Sequence, residues 1–425
     1  NKTVFLINLN FILDLNFEFF IAKRLISAKS YKSSVSAPII KIGIAAIAIS
    51  MVVMLIAVAV SIGLQQKIRD KAVAFNGHIT ISNFDSNASQ GAQVPISKNQ
   101  TFYPAFSSVD GISHIQAVAH KFGIIRTETD FEALFIKGVG LDYNWLYFKD
   151  FLIDGRLPNF SEKYSQEVLI SEYLSRRLNL NVGQSFQMYF LKTDASRPPS
   201  IVKFWVAGIF NSGFEELDKT FLIGDINHVQ RLNRWEKDQI GQFEVFVEDY
   251  NALDDKGIEV YAQTPSTLDA ETIKQKYDLI FEWISIFDKN TYGIIGMMIL
   301  VGVINMITAL LVLILERTQM IGLLKALGST NWSIQKVFLY VASYLSIIGL
   351  FIGNLVGLAL LFIQKYWSPI TLDPSVYYVT KAPVFIDVQY IFALNLMTFL
   401  VCLLVLVIPS YIITKINPVQ AIKFD

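Results

Sequence analysis

Hydrophobic residues are distributed unevenly along the chain, and four long windows lack any charged side chain. Residues 42–66, 290–315, 337–364 and 388–414 contain no Asp, Glu, Lys or Arg. Each window exceeds the roughly 20 apolar residues that an α-helix needs to cross the hydrocarbon core of a bilayer. A buried helix of a large soluble protein could account for one such window. Four windows in one chain instead predict four transmembrane helices.

The segment between the first two windows has a different pattern. Residues 67–289 hold most of the charge and many short stretches rich in β-branched and aromatic residues, such as EVLIS from Glu167. Gly, Asn or Asp bound these stretches, as is typical of strands. Helical candidates lie between them, including one from Ile226 that Asp225 would cap. The predicted fold is an α-helical membrane protein with four transmembrane helices and a large α+β domain inserted between helices 1 and 2.

Basic residues in the short segments predict how the chain crosses the membrane. The N-terminal segment (1–41), the loop 316–336 and the tail (415–425) together carry 11 Lys or Arg, whereas the short loop 365–387 carries two. Short cytoplasmic segments carry the excess of basic residues. We therefore expect a multi-pass membrane protein with both termini in the cytoplasm. Residues 67–289 would then form a domain on the opposite side of the membrane.

Composition narrows the classes of function. The 36 basic and 36 acidic residues balance, so nothing indicates a nucleic-acid partner. The single cysteine, Cys402, excludes an intrachain disulfide and a Cys-based zinc site. The sequence contains no P-loop, H-E-x-x-H or G-x-S-x-G motif, and the spans carry no ionisable side chain besides Cys402 and tyrosines. We therefore predict a non-catalytic chain without bound metal or cofactor, which takes its energy from a partner.

Two features of the spans indicate helix packing. Gly349, Gly353 and Gly357 form a G-x-x-x-G-x-x-x-G ladder in the third span, which lets helix backbones approach closely within or between protomers. Ordinary glycine frequency in membrane helices is the alternative. Asn305 in the second span needs a hydrogen-bond partner in hydrocarbon, and we expect it to face another helix.

Residues 15–30 predict a further helix before the first span. This stretch places apolar residues on one helical face and basic residues within reach of lipid headgroups, which favours an interfacial helix on the cytoplasmic leaflet. A simple extension of the first span is the alternative. The apolar residues are Phe17, Phe20, Ile21 and Leu25, and the basic ones are Lys23, Arg24 and Lys29.

The loop after the second span has helical periodicity of its own. Its apolar residues are Met320, Ile321, Leu323, Leu324 and Leu327. Lys325 lies opposite them, Gly328 supplies a C-cap, and Ser329 or Thr330 can start the next helix. Such a helix, joined to two spans, could receive force from a soluble subunit. It could equally be an ordinary connection between two helices.

Longer stretches resemble a known family. NMITALLVLILERTQMIGLLKALGSTNWSIQKVFL, from Asn305, and the tail PSYIITKINPVQAIKFD resemble the signatures of FtsX-like permease domains of ABC transporters. Met320 stands where that family usually has Glu. Three further stretches resemble the lipoprotein-releasing (Lol-type) branch. They are the first span from Val35, FKDFLIDGRLPNFS from Phe148, and AGIFNSGFEELDKTFLI from Ala207.

The resemblance implies a machine of the bacterial inner membrane, with residues 67–289 as its periplasmic domain, that works through partners. Two permease protomers, of the same or a related chain, pair with two ATPase subunits that bind ATP and Mg²⁺. ATP-driven closure pushes on the loop helix, and a lipoprotein leaves the inner membrane for a periplasmic carrier. The residues expected to couple to the ATPase are Glu316, Arg317, Met320, Gly322, Leu323, Lys325, Leu327 and Gly328.

Acyl chains of the substrate need an apolar shelter under this hypothesis. Residues expected to line such a cavity are Met51, Met54, Leu55 and Val58 of the first span, with Met297, Met298 and Val301 of the second. Lipid-facing or helix-packing roles are the alternative for these residues. Two other functions remain open within the family: efflux by a macrolide-exporter-type permease, and force transmission by an FtsX-type regulator of cell-wall hydrolysis.

Overall fold

The computed structural model describes residues 17–27, 36–84, 93–127, 130–160, 164–192 and 198–415. Most of the predicted tail, with the end of its motif, lies outside these ranges. The chain divides into two compact units. The membrane unit contains the described residues up to 63, residues 285–370 and those from 382 onward, whereas the domain unit contains residues 64–284 and 371–381.

Four long helices match the four charge-free windows, and the fourth of them ends at Ser410, before its window does. They are Ser36–Asn76, Asp278–Glu316, Asn331–Trp367 and Val388–Ser410, referred to below as the first to fourth spans. Each is long and apolar enough to cross a bilayer, which confirms the predicted four transmembrane helices. The first span continues ten residues past its window, over KIRDKAVAFN, where Lys, Arg and Ala supply good helix formers.

Shorter elements fill the rest of the described chain. The short helices are Phe17–Ser27, Leu146–Lys149, Glu172–Leu178, Glu215–Thr220, Ile226–Asn233, Leu253–Gln263, Ile273–Lys276, Thr318–Ala326, Pro374–Tyr377 and Ile412–Lys415, with a 3₁₀ turn at Tyr250–Ala252. The strands are β1 Ile79–Asn83, β2 Ile96–Ser97, β3 Ile112–Arg126, β4 Phe131–Val139, β5 Leu152–Gly155, β6 Glu167–Ser171, β7 Ser185–Phe190, β8 Ser200–Phe210, β9 Phe221–Asp225, β10 Gln239–Ile240, β11 Gln242–Val247 and β12 Leu268–Thr272.

The predicted helix before the first span is present as Phe17–Ser27. Ala22 and Leu25 are buried, and the Ser333 hydroxyl of the third span donates a 2.7 Å hydrogen bond to Glu18. Phe17 and Phe20 are exposed instead, so the four apolar residues do not share one environment. The interfacial position stays a prediction.

The glycines of the third span pack against the first span. A Cβ atom added at Gly353 would lie 2.7 Å from the carbonyl oxygen of Ala48 and from the Cβ of Met51. At Gly349 and Gly357 the corresponding nearest approach to first-span atoms is 2.9 Å. Glycine is therefore required for the backbones to come this close. The seam predicted from the ladder lies within this chain.

We expect Gly353→Val to destabilise the membrane unit by about 1–3 kcal/mol, because the added side chain overpacks the seam. The free energy of unfolding in mixed detergent micelles measures this effect. Gly296→Val is the matched control, since no heavy atom lies within 4 Å of a Cβ built at Gly296 in the second span. Equal losses in the two variants would contradict a packing role for Gly353.

The domain unit is built on a mixed sheet of ten strands. Its order is β12-β1-β11-β3-β4-β9-β6-β8-β5, and β7 pairs with both β3 and β8. The β4–β9 and β6–β8 pairs are parallel, and the other pairs are antiparallel. The pairings β3-β4-β9-β6-β8-β7 consequently form a closed cycle. Short helices accompany this sheet, which confirms the predicted α+β domain.

Strand β3 pairs with different strands along its length and so connects β11 to β7. Residues from Ile112 to Val118 pair with β11, whereas Ile124 to Arg126 pair with β7, so one 15-residue strand serves both. Strand β6 matches the stretch EVLIS expected from sequence. Strand β3 was not expected, since its charged and glycine residues interrupt the apolar pattern.

A charged pair is buried in the core of the domain unit. The Lys137 ammonium lies 2.7 and 3.0 Å from the two carboxylate oxygens of Glu244 and donates to the Phe75 carbonyl at the end of the first span. Gln116 donates a further 2.8 Å bond to Glu244. The side chains of Lys137 and Glu244 are 1% and 0% exposed. Burial lowers the pKa of Lys137, and the Glu244 carboxylate opposes that effect.

We expect Lys137→Met to cost about 3–5 kcal/mol, because it leaves the carboxylate of Glu244 buried without its cation. Urea unfolding of the full chain in detergent, followed by tryptophan fluorescence, measures the loss. Lys237→Met, at an exposed lysine of the same unit, is the control. The double variant Lys137→Met/Glu244→Leu should recover much of the loss. No difference between the two lysine variants would contradict the role of the pair.

Candidate functional site

The loop after the second span contains the predicted short helix, Thr318–Ala326. The second span ends at Glu316, and Arg317 interrupts the helical backbone with φ −102° and ψ 21°. The Thr318 hydroxyl donates to the Leu315 carbonyl at 2.5 Å. A side-chain bond of this kind competes with the backbone ladder and favours a bend.

The end of this helix is fixed by a glycine motif. Gly328 has φ +93°, a conformation that L side chains rarely adopt. The Gly328 amide donates to the Lys325 carbonyl and the Ser329 amide to the Leu324 carbonyl, both at 3.0 Å, which is the Schellman pattern. Thr330 then caps the third span by accepting from the Ser333 amide. The predicted C-cap and helix start are confirmed.

The apolar residues of this helix divide between two environments. Ile321, Gly322 and Leu324 are buried in the membrane unit. Leu323 and Leu327 are 55% and 75% exposed, and Met320 is half-buried. Residues four apart lie on one helical face, so the two leucines form an exposed apolar patch. We call Leu323 and Leu327 the leucine patch.

One charged residue, Lys325, holds the helix in place. The Lys325 ammonium donates a 2.6 Å hydrogen bond to the Ile413 carbonyl, at the end of the chain's last described helix. Lys325 therefore anchors the helix, whereas the sequence placed it opposite the apolar face. Glu316 is exposed and Arg317 is half-buried. Sequence reasoning missed Leu315 and Trp332, which flank the loop and are 64% and 54% exposed.

The residues expected to line a cavity divide between buried and exposed positions. Met51, Met54, Leu55 and Val58 are buried among this chain's own spans. The glycine seam draws this face of the first span onto the third span, as the contact between Met51 and Gly353 demonstrates. Met297 and Val301 of the second span are instead 62% and 39% exposed, and Met298 is half-buried.

Asn305, which was expected to face another helix, forms its hydrogen bond within its own helix. Asn305 donates to the Val301 carbonyl at 2.8 Å and is half-buried. A pair between spans that was not expected, Asn354 and Asn395, joins the third and fourth spans by reciprocal bonds of 2.7 and 3.0 Å. Each also donates to a carbonyl four residues earlier. Their presence in two charge-free windows was the available signal.

The histidines of the domain unit have ordinary partners. His78 accepts from the Val247 amide at 3.2 Å, and burial lowers its pKa to about 4. His120 pairs with Gln93, and His228 lies 3.1 Å from the Ser165 carbonyl. Among the residues that the structure describes, no group of three His, Cys, Asp or Glu side chains could hold a metal ion.

Two models of known protein families match the chain. Residues 42–277, more than half of the chain, match the MacB-like periplasmic core domain, and residues 292–418 match the FtsX-like permease C-terminal domain. The chain belongs to this family of ABC transporter permeases. It is therefore a multi-pass bacterial membrane protein.

The permease is similar to proteins of several bacteria. The lipoprotein-releasing system transmembrane protein LolC of Xylella fastidiosa is 20% identical over 398 residues, covering 89% of the permease and 92% of LolC. LolC of Haemophilus influenzae is 22% identical, covering 61% and 64%. The periplasmic region of MacB from Actinobacillus actinomycetemcomitans is 17% identical with a TM-score of 0.33, covering 49% of the permease and 95% of that region.

The helix Thr318–Ala326 has one buried and one exposed face, and this predicts different labelling rates for cysteines placed on the two faces. In a Cys402→Ala background, we expect Leu327→Cys to react with a maleimide at least tenfold faster than Ile321→Cys, because Leu327 is 75% and Ile321 0% exposed. Labelling rates in detergent measure the difference. Equal rates would contradict the orientation of the helix.

Proposed function

We propose that this permease extracts lipoproteins from the bacterial inner membrane and passes them to a periplasmic carrier. ATP is hydrolysed by a separate subunit that binds Mg²⁺, and the permease itself catalyses no reaction. Two permease protomers, identical or related, complete the transporter. Both termini face the cytoplasm, so that the loop Glu316–Lys336 meets the ATPase.

The leucine patch is the observation that carries the proposal. Leu323 and Leu327 project from a helix whose other face is buried and whose C-terminal end is fixed by the Gly328 motif and the Lys325 bond. Burying a leucine side chain is worth about 1.5–3 kcal/mol. The patch therefore provides both affinity for a soluble subunit and a rigid point at which force can act.

Lipoprotein as the substrate is supported by the relatives named as lipoprotein-releasing proteins, which match almost the full length of the chain. Physical chemistry explains the need for ATP. Each CH₂ group withdrawn from lipid costs about 0.8 kcal/mol, so a lipoprotein with several acyl chains does not leave the membrane spontaneously. The exposed second-span residues Met297 and Val301 offer the substrate an apolar surface.

Release from proteoliposomes tests the proposal. The vesicles hold the chain, its co-purifying ATPase and a radiolabelled lipoprotein, and receive ATP with a candidate carrier. We expect ATP-dependent release that falls at least tenfold in Leu323→Asp/Leu327→Asp, because charged residues abolish docking of the apolar patch. Leu141→Asp, at an 84% exposed leucine of the domain unit, is the matched control and should release normally.

Each failure has a distinct meaning. ATPase activity that depends on this chain, without release of lipoprotein, would overturn lipoprotein extraction. Efflux of another amphiphile would then be favoured, since the domain unit matches the MacB-like model. Equal loss in Leu141→Asp and the double variant would contradict coupling through the leucine patch. If ATP hydrolysis by the complex alters the activity of a cell-wall hydrolase and releases no substrate, an FtsX-type regulator would be favoured.

A further inference from the structure

The loop between the third and fourth spans has its tip, residues 371–381, in the domain unit. The Lys71 ammonium, near the end of the first span, donates a 2.8 Å hydrogen bond to the Tyr378 carbonyl. The Tyr378 ring stacks on Phe214 at 4.7 Å between centroids, with 25° between the planes, and meets the edge of Trp283 at 5.7 Å. Three separate parts of the domain unit thus hold one residue of this loop.

The turn from Asn211 to Asp218 is ordered by its own side chains. Ser212 donates a 2.6 Å bond from its hydroxyl to the Asp218 carboxylate and accepts from the Phe214 amide at 3.0 Å. Asn211 accepts from the Gly213 amide at 2.7 Å. The Asp218 carboxylate also attracts the Lys71 ammonium electrostatically. The turn therefore presents a fixed ring to the loop and a fixed carboxylate to Lys71.

Gly213 leaves room for the lysine. Its φ is +65°, and a Cβ atom added there would lie 2.5 Å from the Lys71 Nζ atom. Any side chain at this position would displace the ammonium as well as strain the backbone. The segment from Ala207 that resembles Lol-type permeases includes this glycine, and the contact gives a physical reason for it.

Tyr378 adopts a conformation that its own sequence disfavours. Its φ of +57° lies in the left-handed region, where a bulky residue persists only when its surroundings fix it. Lys71 and Phe214 supply those surroundings. The loop tip is held by its contacts and not by local preference.

The two residues that flank the tip, Ile370 and Ala382, are hydrogen-bonded within the membrane unit and are called the neck of the loop. Gln364 of the third span donates to the carbonyls of Ile370 and Ala382, both at 3.0 Å, and accepts from the Ile370 amide at 3.1 Å. Thr371 and Lys381 then form a β-bridge. The chain between neck and tip is consequently short and tied at both ends.

We propose that Lys71 is a positioning residue, which keeps the loop tip 371–381 attached to the domain unit so that domain movement is passed to the third and fourth spans during transport. The loop would then be a mechanical connection in addition to the two helices that run through both units. This inference rests on the proposed function for its transport step only, since the attachment of the loop can be measured without transport.

Two measurements on the full chain with its ATPase test this role. Hydrogen exchange of residues 371–381 reports the attachment, and lipoprotein release per ATP hydrolysed reports the coupling. In Lys71→Met we expect exchange at least tenfold faster and release per ATP at least fivefold lower, with ATP hydrolysis retained. Gly213→Ala should act in the same direction. Lys71→Arg keeps a donor and should restore both quantities.

Lys67→Met is the matched control, because Lys67 is an exposed lysine one turn earlier in the same helix. It should leave exchange and release within twofold of the native values. Unchanged exchange in Lys71→Met would overturn the attachment. Faster exchange with normal release per ATP would overturn the mechanical role. If the native complex releases no lipoprotein, the proposed function fails, and ATPase stimulation by this chain replaces release as the second readout.

Discussion

The buried Lys137–Glu244 pair fixes the end of the first span in the sheet of the domain unit. A buried cation is tolerated only when all its partners are present, because desolvation costs several kcal/mol per ion. Here the partners are Glu244 on β11 and the Phe75 carbonyl at the helix end, with Gln116 on β3 completing the network. Strands β4 and β11 are not neighbours, so the pair ties three strands and a helix into one arrangement.

The elements predicted most securely were those with one dominant pattern. Absence of charge over 25 or more residues leaves a membrane helix as the simplest solution, since backbone polar groups must be satisfied internally in lipid. Lys137 could not be recognised in this way. A lysine in a strand normally indicates a solvated face. No local feature of the sequence predicts that Lys137 pairs with Glu244, which is more than 100 residues away. The two asparagines Asn354 and Asn395 could be noticed in their charge-free windows, but their pairing could not be predicted for the same reason.

The loop helix illustrates how far periodicity reaches. An apolar stripe at helical spacing predicted the helix, and Gly328 predicted its end. The pattern did not separate Ile321 and Leu324, which are buried, from Leu323 and Leu327, which are exposed. All four are apolar, and only the position of the neighbouring helices decides which face is covered. The same limit applies to Lys325, whose distant acceptor at Ile413 turns an apparent surface charge into an anchor.

The glycine seam restricts where apolar substrate chains can lie under the proposed function. Helices in lipid associate through close van der Waals packing, because lipid tails are as apolar as the side chains they would replace. Separating the first and third spans to expose Met51 would forfeit those contacts along the whole ladder. The exposed face of the second span, with Met297 and Val301, requires no such separation. Under the proposed function, this exposed face of the second span is therefore the surface that an acyl chain would meet without any separation of the first and third spans.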